Sequence, residues 1–422
     1  MDLTVFSELE SEVRSYIRSF PVIFDRARGS LIWDEDGNEY IDFFCGAGAL
    51  NYGHNNPILK EQVIEYLAAD HIQHSLDMAT GAKKRFLESF RDVILQPRQL
   101  PYRLHFTGPT GTNAVEAALK LARQVTGRRS VVAFSHGFHG VSLGALAATA
   151  NDKFRAAAGV SLGDVTFHPY DGYFDGTTDT VAQLRTLIED PGSGLDFPAA
   201  VIVETVQGEG GVNVARIEWL QALAALCAEK GILLIVDEIQ IGIGRSGDFF
   251  SFEAAGIVPD IVTLSKSLSG YGFPMSLVLL KPELDVWKPG VHSGTFRGNN
   301  VAFVGAAAAI ETFWGDPEFS PAIHRRAAFA ASRLDAIVAK HPDHLTTRGR
   351  GLLRGLVGTP GSGIAQAVSR ESFAHGLIVE TSGSRNEVLK LMPALVDDDQ
   401  DTLSRGLDII DAAVDATIAK LT

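Results

Sequence analysis

Cysteine is nearly absent from this chain: Cys45 and Cys227 are the only two among 422 residues. Two thiols do not make a disulfide framework, and a reducing compartment fits the count. Cys45, inside Phe43-Phe44-Cys45-Gly46, reads as a small buried residue rather than a nucleophile. Long apolar runs are missing too. The longest, Val301 to Ile310, is too short to span a bilayer, although it could support an interface between chains. Positive charge is in deficit, with 37 Lys and Arg against 51 Asp and Glu and a net charge of −14. That balance disfavours nucleic acid and anionic membrane surfaces as partners. The first residues carry Glu8, Glu10 and Glu12 and lack the charged-then-apolar layout of a signal peptide. The expectation is a cytoplasmic protein with no nucleic-acid or membrane partner and no metal. No internal repeat or low-complexity tract is visible.

What is present is ordinary globular composition, 45% hydrophobic and 21% charged, in a chain long enough for two domains with full cores. Short apolar runs recur at Leu104-His105-Phe106, Val131 to Phe134, Val201-Ile202-Val203, Ile232 to Val236, Ile261 to Leu264 and Leu277 to Leu280. Continuous rather than alternating apolar character predicts strands buried on both faces. Amphipathic stretches between them predict right-handed crossovers and an α/β sheet covered by helices on both sides. The ends differ. Leu31-Ile32-Trp33 and Tyr40 to Phe43 flank Asp34-Glu35-Asp36-Gly37-Asn38, a hairpin with suitable turn chemistry. Residues 351–357, 376–380 and 388–392 read as strands of a smaller sheet. A final helix carries Leu403, Leu407, Ile410, Val414, Ile418 and Leu421 on one face. The expected division is a large domain over 51–314 and a small one built from 1–50 and 315–422.

Two of the buried strands end in polar groups. The run Ile232 to Val236 is followed by Asp237, Glu238 and Gln240, and Ile261 to Leu264 is followed by Ser265-Lys266-Ser267. In an open parallel sheet such strand ends gather on one edge, where ligands bind. Upstream, Gly108-Pro109-Thr110-Gly111-Thr112-Asn113 follows a strand and opens a helix marked by Ala114, Ala117, Ala118, Leu121, Ala122 and Val125. A glycine there lets a phosphate approach the backbone, and the helix N-terminus presents free N–H groups. Taken singly, each feature has a plainer explanation: an acid that caps a helix, a solvated lysine, and a helix start with Thr112 or Asn113 as N-cap and Glu116 in its first turn. Together they suit pyridoxal phosphate, which needs a lysine for its aldehyde, an acid for its ring nitrogen and a cup for its phosphate.

The segments Gly111 to Ala118, Phe138-His139-Gly140, Glu204 to Gly211, Asp237 to Gln240, Gly244-Arg245-Ser246-Gly247, Ser265-Lys266 and Thr295 to Asn299 stand in the order seen in class III aminotransferases. The resemblance runs from about residue 20 to the C-terminus. It implies a fold type I pyridoxal phosphate-dependent transferase, with a mostly parallel seven-stranded sheet in the large domain and a small α+β domain from both termini. Residues 46–57, 74–80, 265–272 and 294–300 resemble the branch of that class found in ectoine biosynthesis. The activity implied is transamination between L-glutamate/2-oxoglutarate and L-aspartate 4-semialdehyde/L-2,4-diaminobutyrate. Open alternatives are another ω-aminotransferase of the class, a class III racemase, and a scaffold that has lost catalysis. An intact Lys266 and Asp237 argue against the last.

The resemblance also assigns roles. Lys266 would hold the cofactor and move the proton, and Asp237 would keep its ring nitrogen protonated. Gln240 would hydrogen-bond its phenolic oxygen, Phe138 with the adjoining His139 would face its ring, and Gly111 and Thr112 would bind its phosphate. Thr295 resembles the residue that the partner subunit contributes to the phosphate, which implies a homo-oligomer, at least a dimer with shared active sites. Glu209 resembles an acid that in related enzymes pairs with an arginine receiving the second substrate's carboxylate. Here that arginine is replaced by Lys390, so carboxylate recognition must differ, with Lys390 or Arg385 as the cation. Glu204 has a weak claim to a direct role.

Overall fold

In the computed structural model, which describes residues 2–174, 176–396 and 401–421, the chain opens on an antiparallel meander. Its strands are β1 (Phe24–Arg28), β2 (Leu31–Asp34) and β3 (Glu39–Asp42). The expected hairpin turn forms because the Asp34 carboxylate accepts the Asn38 backbone N–H at 2.8 Å and its side-chain amide at 2.9 Å.

The central sheet uses β4 (Arg103–Phe106), β5 (Val131–Phe134), β6 (Val165–His168) and β7 (Ala200–Val203). A two-stranded ribbon, β8 (Val206–Gln207) and β9 (Asn213–Val214), interrupts before β10 (Leu233–Asp237), β11 (Ile261–Leu264) and β12 (Leu277–Leu280) complete it. The order is β4-β12-β11-β10-β7-β5-β6, and β12 alone runs antiparallel to its neighbours β11 and β4. All six apolar runs are strands. The seventh, β6, alternates apolar Val165 and Phe167 with Thr166 and His168, so it has no apolar run of its own to mark it.

Successive strand residues feed opposite faces. Val201, Val203, Leu234 and Val236 join a core with Phe86, Phe249, Phe303 and Trp219. Ala200, Ile202 and Ile235 pack with Ala114, Ala118 and Leu121 of the helix Gly111–Thr126. Val301–Ile310 departs from expectation. Residues 300–309 form a helix buried on every side within this chain, packed on the helices Pro57–Ala68 and Gly81–Ser89. A helix apolar all round is a core helix, so it offers nothing to an interface.

At the C-terminal end β13 (Leu345–Arg350) and β14 (Leu353–Gly358) form a hairpin. The run expected at 376–380 divides between two sheets. Its first part, β15 (Leu377–Ile378), pairs parallel to β3, and β16 (Glu380–Ser382) pairs antiparallel to β17 (Val388–Leu391). Both chain ends thus share one core, in which Ile41 and Phe43 meet Leu377, Leu407, Ile410 and Val414. The last helix, Asp401–Ala419, buries the expected stripe as far as Ile418, and Leu421 lies beyond it, exposed. Arg245, wholly buried, ties distant segments of the chain together: it donates to the carbonyls of Leu352 and Pro393 and, at 2.5 Å, to Asn51 Oδ1.

Candidate active site

Strands β7, β10 and β11 are parallel neighbours, so their C-terminal ends deliver Glu204, Asp237 and Lys266 to one edge. Register places Asp237 beside Thr263, whose hydroxyl donates to Asp237 Oδ1 at 2.9 Å; the Ile239 N–H donates to the same oxygen at 3.1 Å. The other oxygen, Oδ2, lies 2.8 Å from His139 Nδ1. Asp237 and His139 are both buried. Burial pushes the His139 imidazole down, but its hydrogen bond to Asp237 and that carboxylate's charge outweigh it and raise it overall. Glu204 accepts the Phe138 N–H at 2.9 Å, and burial pushes its carboxyl up to about 7. That hydrogen bond holds the Phe138 backbone in place. Thr263 escaped sequence reasoning, because only strand register reveals it.

Lys266 adopts a left-handed φ of 51°, a conformation uncommon for a non-glycine residue and concentrated at functional positions. Its Nζ donates to the Ala47 carbonyl at 2.8 Å. Burial pushes the ammonium down, toward the neutral amine that attacks a carbonyl. Gln240 shares the Ala47 carbonyl at 3.2 Å and donates to Glu209 Oε1 at 2.9 Å.

Glu209 in turn lies 2.6 Å from Lys390 Nζ. Lys390 is fully buried rather than solvated, and holds a second acid, Glu380, at 2.9 Å. Glu380 was not anticipated; antiparallel pairing sets it directly across from Lys390, and its other oxygen accepts the Tyr16 hydroxyl at 3.3 Å. Burial pushes Glu209 up, but the charges of Lys390 and Lys266 overcome this and bring it to about 2. For Glu380 burial prevails and the carboxyl is raised. Burial works against the Lys390 charge, yet the two carboxylates raise it overall. Arg385 stays out of this cluster, exposed beside a separate hollow with Thr359 and Gln366.

The phosphate-type loop opens its helix at Gly111, with Thr110 as N-cap rather than Thr112 or Asn113. Asn113, one turn in, reaches back to accept the Thr110 N–H at 3.2 Å and its hydroxyl at 2.9 Å. Thr112 instead meets the Ser142 hydroxyl at 2.5 Å. Glu116 leaves its own helix to accept from Ser142 at 2.6 Å, from the Gly144 N–H at 2.9 Å and from the Ala145 N–H at 3.1 Å. Gly140 seals the contact: at φ 125°, a Cβ there would stand 2.5 Å from Thr112 Oγ1, so no side chain is admissible. Phe138 and Glu209 border one hollow of about 540 Å³, together with Ser135, His136, Tyr173 and Gly210. Thr295 is exposed on the turn Thr295–Gly298, and the preceding Gly294 lies close to Gly108 of the phosphate-type loop, where a Cβ on it would stand 3.6 Å from the Gly108 Cα.

The donor set fits pyridoxal phosphate. Gln240 Oε1 is a buried acceptor with no partner, suited to a phenolic hydroxyl, and a buried carboxylate and a lysine stand on the same sheet edge.

The chain belongs to the class III aminotransferases: the family model "Aminotransferase class-III" matches residues 14–414. A diaminobutyrate–2-oxoglutarate transaminase from Bordetella parapertussis is 63% identical over 98% of this chain and 95% of its own. Another, from Nocardia farcinica, is 57% identical over 98% of this chain and 94% of its own. Among solved structures, an ornithine aminotransferase from Toxoplasma gondii, with partial occupancy of PLP at its active site, superposes with a TM-score of 0.84 at 25% identity, covering 99% of this chain and 94% of that one.

Proposed function

We propose that this protein is an aminotransferase that uses pyridoxal phosphate to exchange an amino group between L-glutamate/2-oxoglutarate and L-aspartate 4-semialdehyde/L-2,4-diaminobutyrate. The observation that carries the reading is full-length identity of 63% to a diaminobutyrate–2-oxoglutarate transaminase, joined to a site with the lysine, acid and loop that the chemistry requires. The reading extends to the first step of ectoine biosynthesis, a cytoplasmic setting and a homodimer. No helix among the described residues is long and apolar enough to cross a membrane.

Pyridoxal phosphate supplies a carbonyl that takes up an amino group and a ring that accepts electrons from the neighbouring carbon. Lys266 holds it and then moves the proton at the amine-bearing substrate carbon. Asp237, oriented by His139 and Thr263, keeps a negative charge at the ring nitrogen. Gln240 would meet the phenolic oxygen, the Gly111 and Thr112 end of the helix would take the phosphate, and Phe138 would hold the ring. Glu209 and Lys390 serve the substrate's far end. One substrate leaves before the other enters, so ping-pong kinetics follow.

The proposed division is a large domain over 51–314 and a small domain from 1–50 and 315–422. The shared core of Ile41, Phe43 and the C-terminal residues supports it. Thr295 is proposed to complete the partner's phosphate site, which its exposure allows.

Two experiments test this. Steady-state rates with 2-oxoglutarate and a panel of amine donors should favour L-2,4-diaminobutyrate over ornithine and 4-aminobutyrate; a preference for either of those would move the enzyme to another ω-aminotransferase. Mixed Lys266→Ala and Thr295→Ala chains should regain one native site per heterodimer. Absence of complementation in confirmed heterodimers would count against sharing.

A further inference from the structure

Lys390 is bound by two carboxylates that differ in mechanical freedom. Glu209 sits in the loop between β8 and β9, borders the 540 Å³ hollow and keeps 27% of its side chain exposed. Glu380 is set on β16 directly across from Lys390 on β17, is 7% exposed, and is held from its far side by the Tyr16 hydroxyl. A substrate entering the hollow can displace the first acid but not the second. Resting on the aminotransferase reading above, we propose that Glu380 is a positioning residue and permanent counter-ion of Lys390, which sets the balance between dicarboxylate and ammonium-bearing substrates while Glu209 exchanges.

The charge count gives the consequence. With both acids ionised and Lys390 protonated, the triad carries one net negative charge, which favours the ammonium group of diaminobutyrate. When Glu209 turns aside, Lys390 meets the distal carboxylate of 2-oxoglutarate with its own charge already balanced by Glu380. The lysine also has N–H bonds to spare, since an ammonium carries three donors, its hydrogen bond goes to the exchanging Glu209 at 2.6 Å, and Glu380 Oε1 holds it at 2.9 Å as an ion pair without a hydrogen bond. Dicarboxylate binding is thereby moderated, so that it does not compete with the amine-bearing substrate for the resting enzyme.

Glu380→Gln keeps the shape and an acceptor for Lys390 but removes the compensating charge. The probe is glutarate, which has the two carboxylates of 2-oxoglutarate without its reactive carbonyl, titrated calorimetrically into the holoenzyme. A unit charge removed a few ångströms from the carboxylate should tighten glutarate by at least about fivefold. In turnover, KM for 2-oxoglutarate should fall and KM for diaminobutyrate should rise. Glu380→Asp, which restores the charge, should return both toward the parent values. Should Glu380→Gln fail to fold, Glu209→Gln serves: with Lys390 still neutralised by Glu380, it should fold and also bind glutarate more tightly, because no ionised acid has to leave. Unchanged glutarate affinity in either variant, or KM values that move together, overturns the proposal. Parent enzyme that does not turn over diaminobutyrate with 2-oxoglutarate would instead refute the functional reading, and glutarate binding would still report on Glu380.

Discussion

Replacing Lys390 by Met is the sharpest perturbation the structure offers. The side chain is 0% exposed and lies 2.6 Å from Glu209 and 2.9 Å from Glu380, so the substitution keeps volume but strands one buried carboxylate, Glu380, and one partly exposed carboxylate, Glu209, without their cation. Removing one partner from a buried ion pair typically costs about 3–5 kcal/mol. An independent figure comes from Glu209, held at about 2 against an ordinary 4.5; that displacement corresponds to roughly 3 kcal/mol. Because the folded value is depressed, the contribution is fully present above the unfolded value and is lost as pH falls toward 2. In the variant the acids lose their cation and take up protons as pH falls, which relieves part of the penalty. The expected destabilisation is therefore about 3 kcal/mol at pH 8 and clearly less at pH 5. Denaturant unfolding of both holoenzymes, at matched protein and cofactor concentration, measures it. A loss under about 1 kcal/mol at pH 8, or the same loss at both pH values, would refute the reasoning. The separate half-reactions of this variant add a functional readout: the glutamate half should suffer selectively, and equal loss of both would leave Lys390 with a structural role only.

Lys266 is expected to carry the cofactor, so borohydride should fix it to the peptide containing Lys266, and Lys266→Ala should abolish turnover with the fold intact; labelling of another lysine would contradict this. Asp237→Asn should lower the rate by at least about 100-fold, as loss of a preorganised electrostatic group does, and a near-normal rate would remove the ring-nitrogen role. Glu204 is raised to about 7 by burial, so the folded protein holds its proton more tightly than the unfolded chain. Its contribution therefore declines as pH rises from about 4.5 to 7, and Glu204→Gln should flatten the fall in melting temperature over that window; an unaltered profile would show that Glu204 does not titrate there.

The parts of the fold legible in the sequence were those where one requirement dominates. A strand buried on both faces must be apolar throughout, so β5, β7, β10, β11 and β12 announced themselves; edge strand β4 still showed in Leu104-His105-Phe106, whereas edge strand β6 alternates Val165 and Phe167 with Thr166 and His168 and did not. Asp237 and Lys266 were legible because they follow such strands. Lys390 was legible as a departure from a motif, but its burial was not, because the compensating acids Glu209 and Glu380 come from a distant loop and a neighbouring strand. Glu116 was read as a first-turn acid of its own helix, and only tertiary packing shows it accepting from residues 142–145 instead. The Val301–Ile310 run illustrates the converse: apolarity signals burial but does not say whether this chain or another covers it.

The most direct test of the central claim is single turnover of each half-reaction on the holoenzyme. L-Glutamate added alone should release one equivalent of 2-oxoglutarate per active site and bleach the visible absorption of the bound cofactor. Aspartate 4-semialdehyde, added after glutamate is removed, should restore that absorption and yield one equivalent of 2,4-diaminobutyrate. Release of 2-oxoglutarate without recovery by the semialdehyde would contradict the assigned acceptor, and absence of any 2-oxoglutarate from glutamate would contradict the account as a whole.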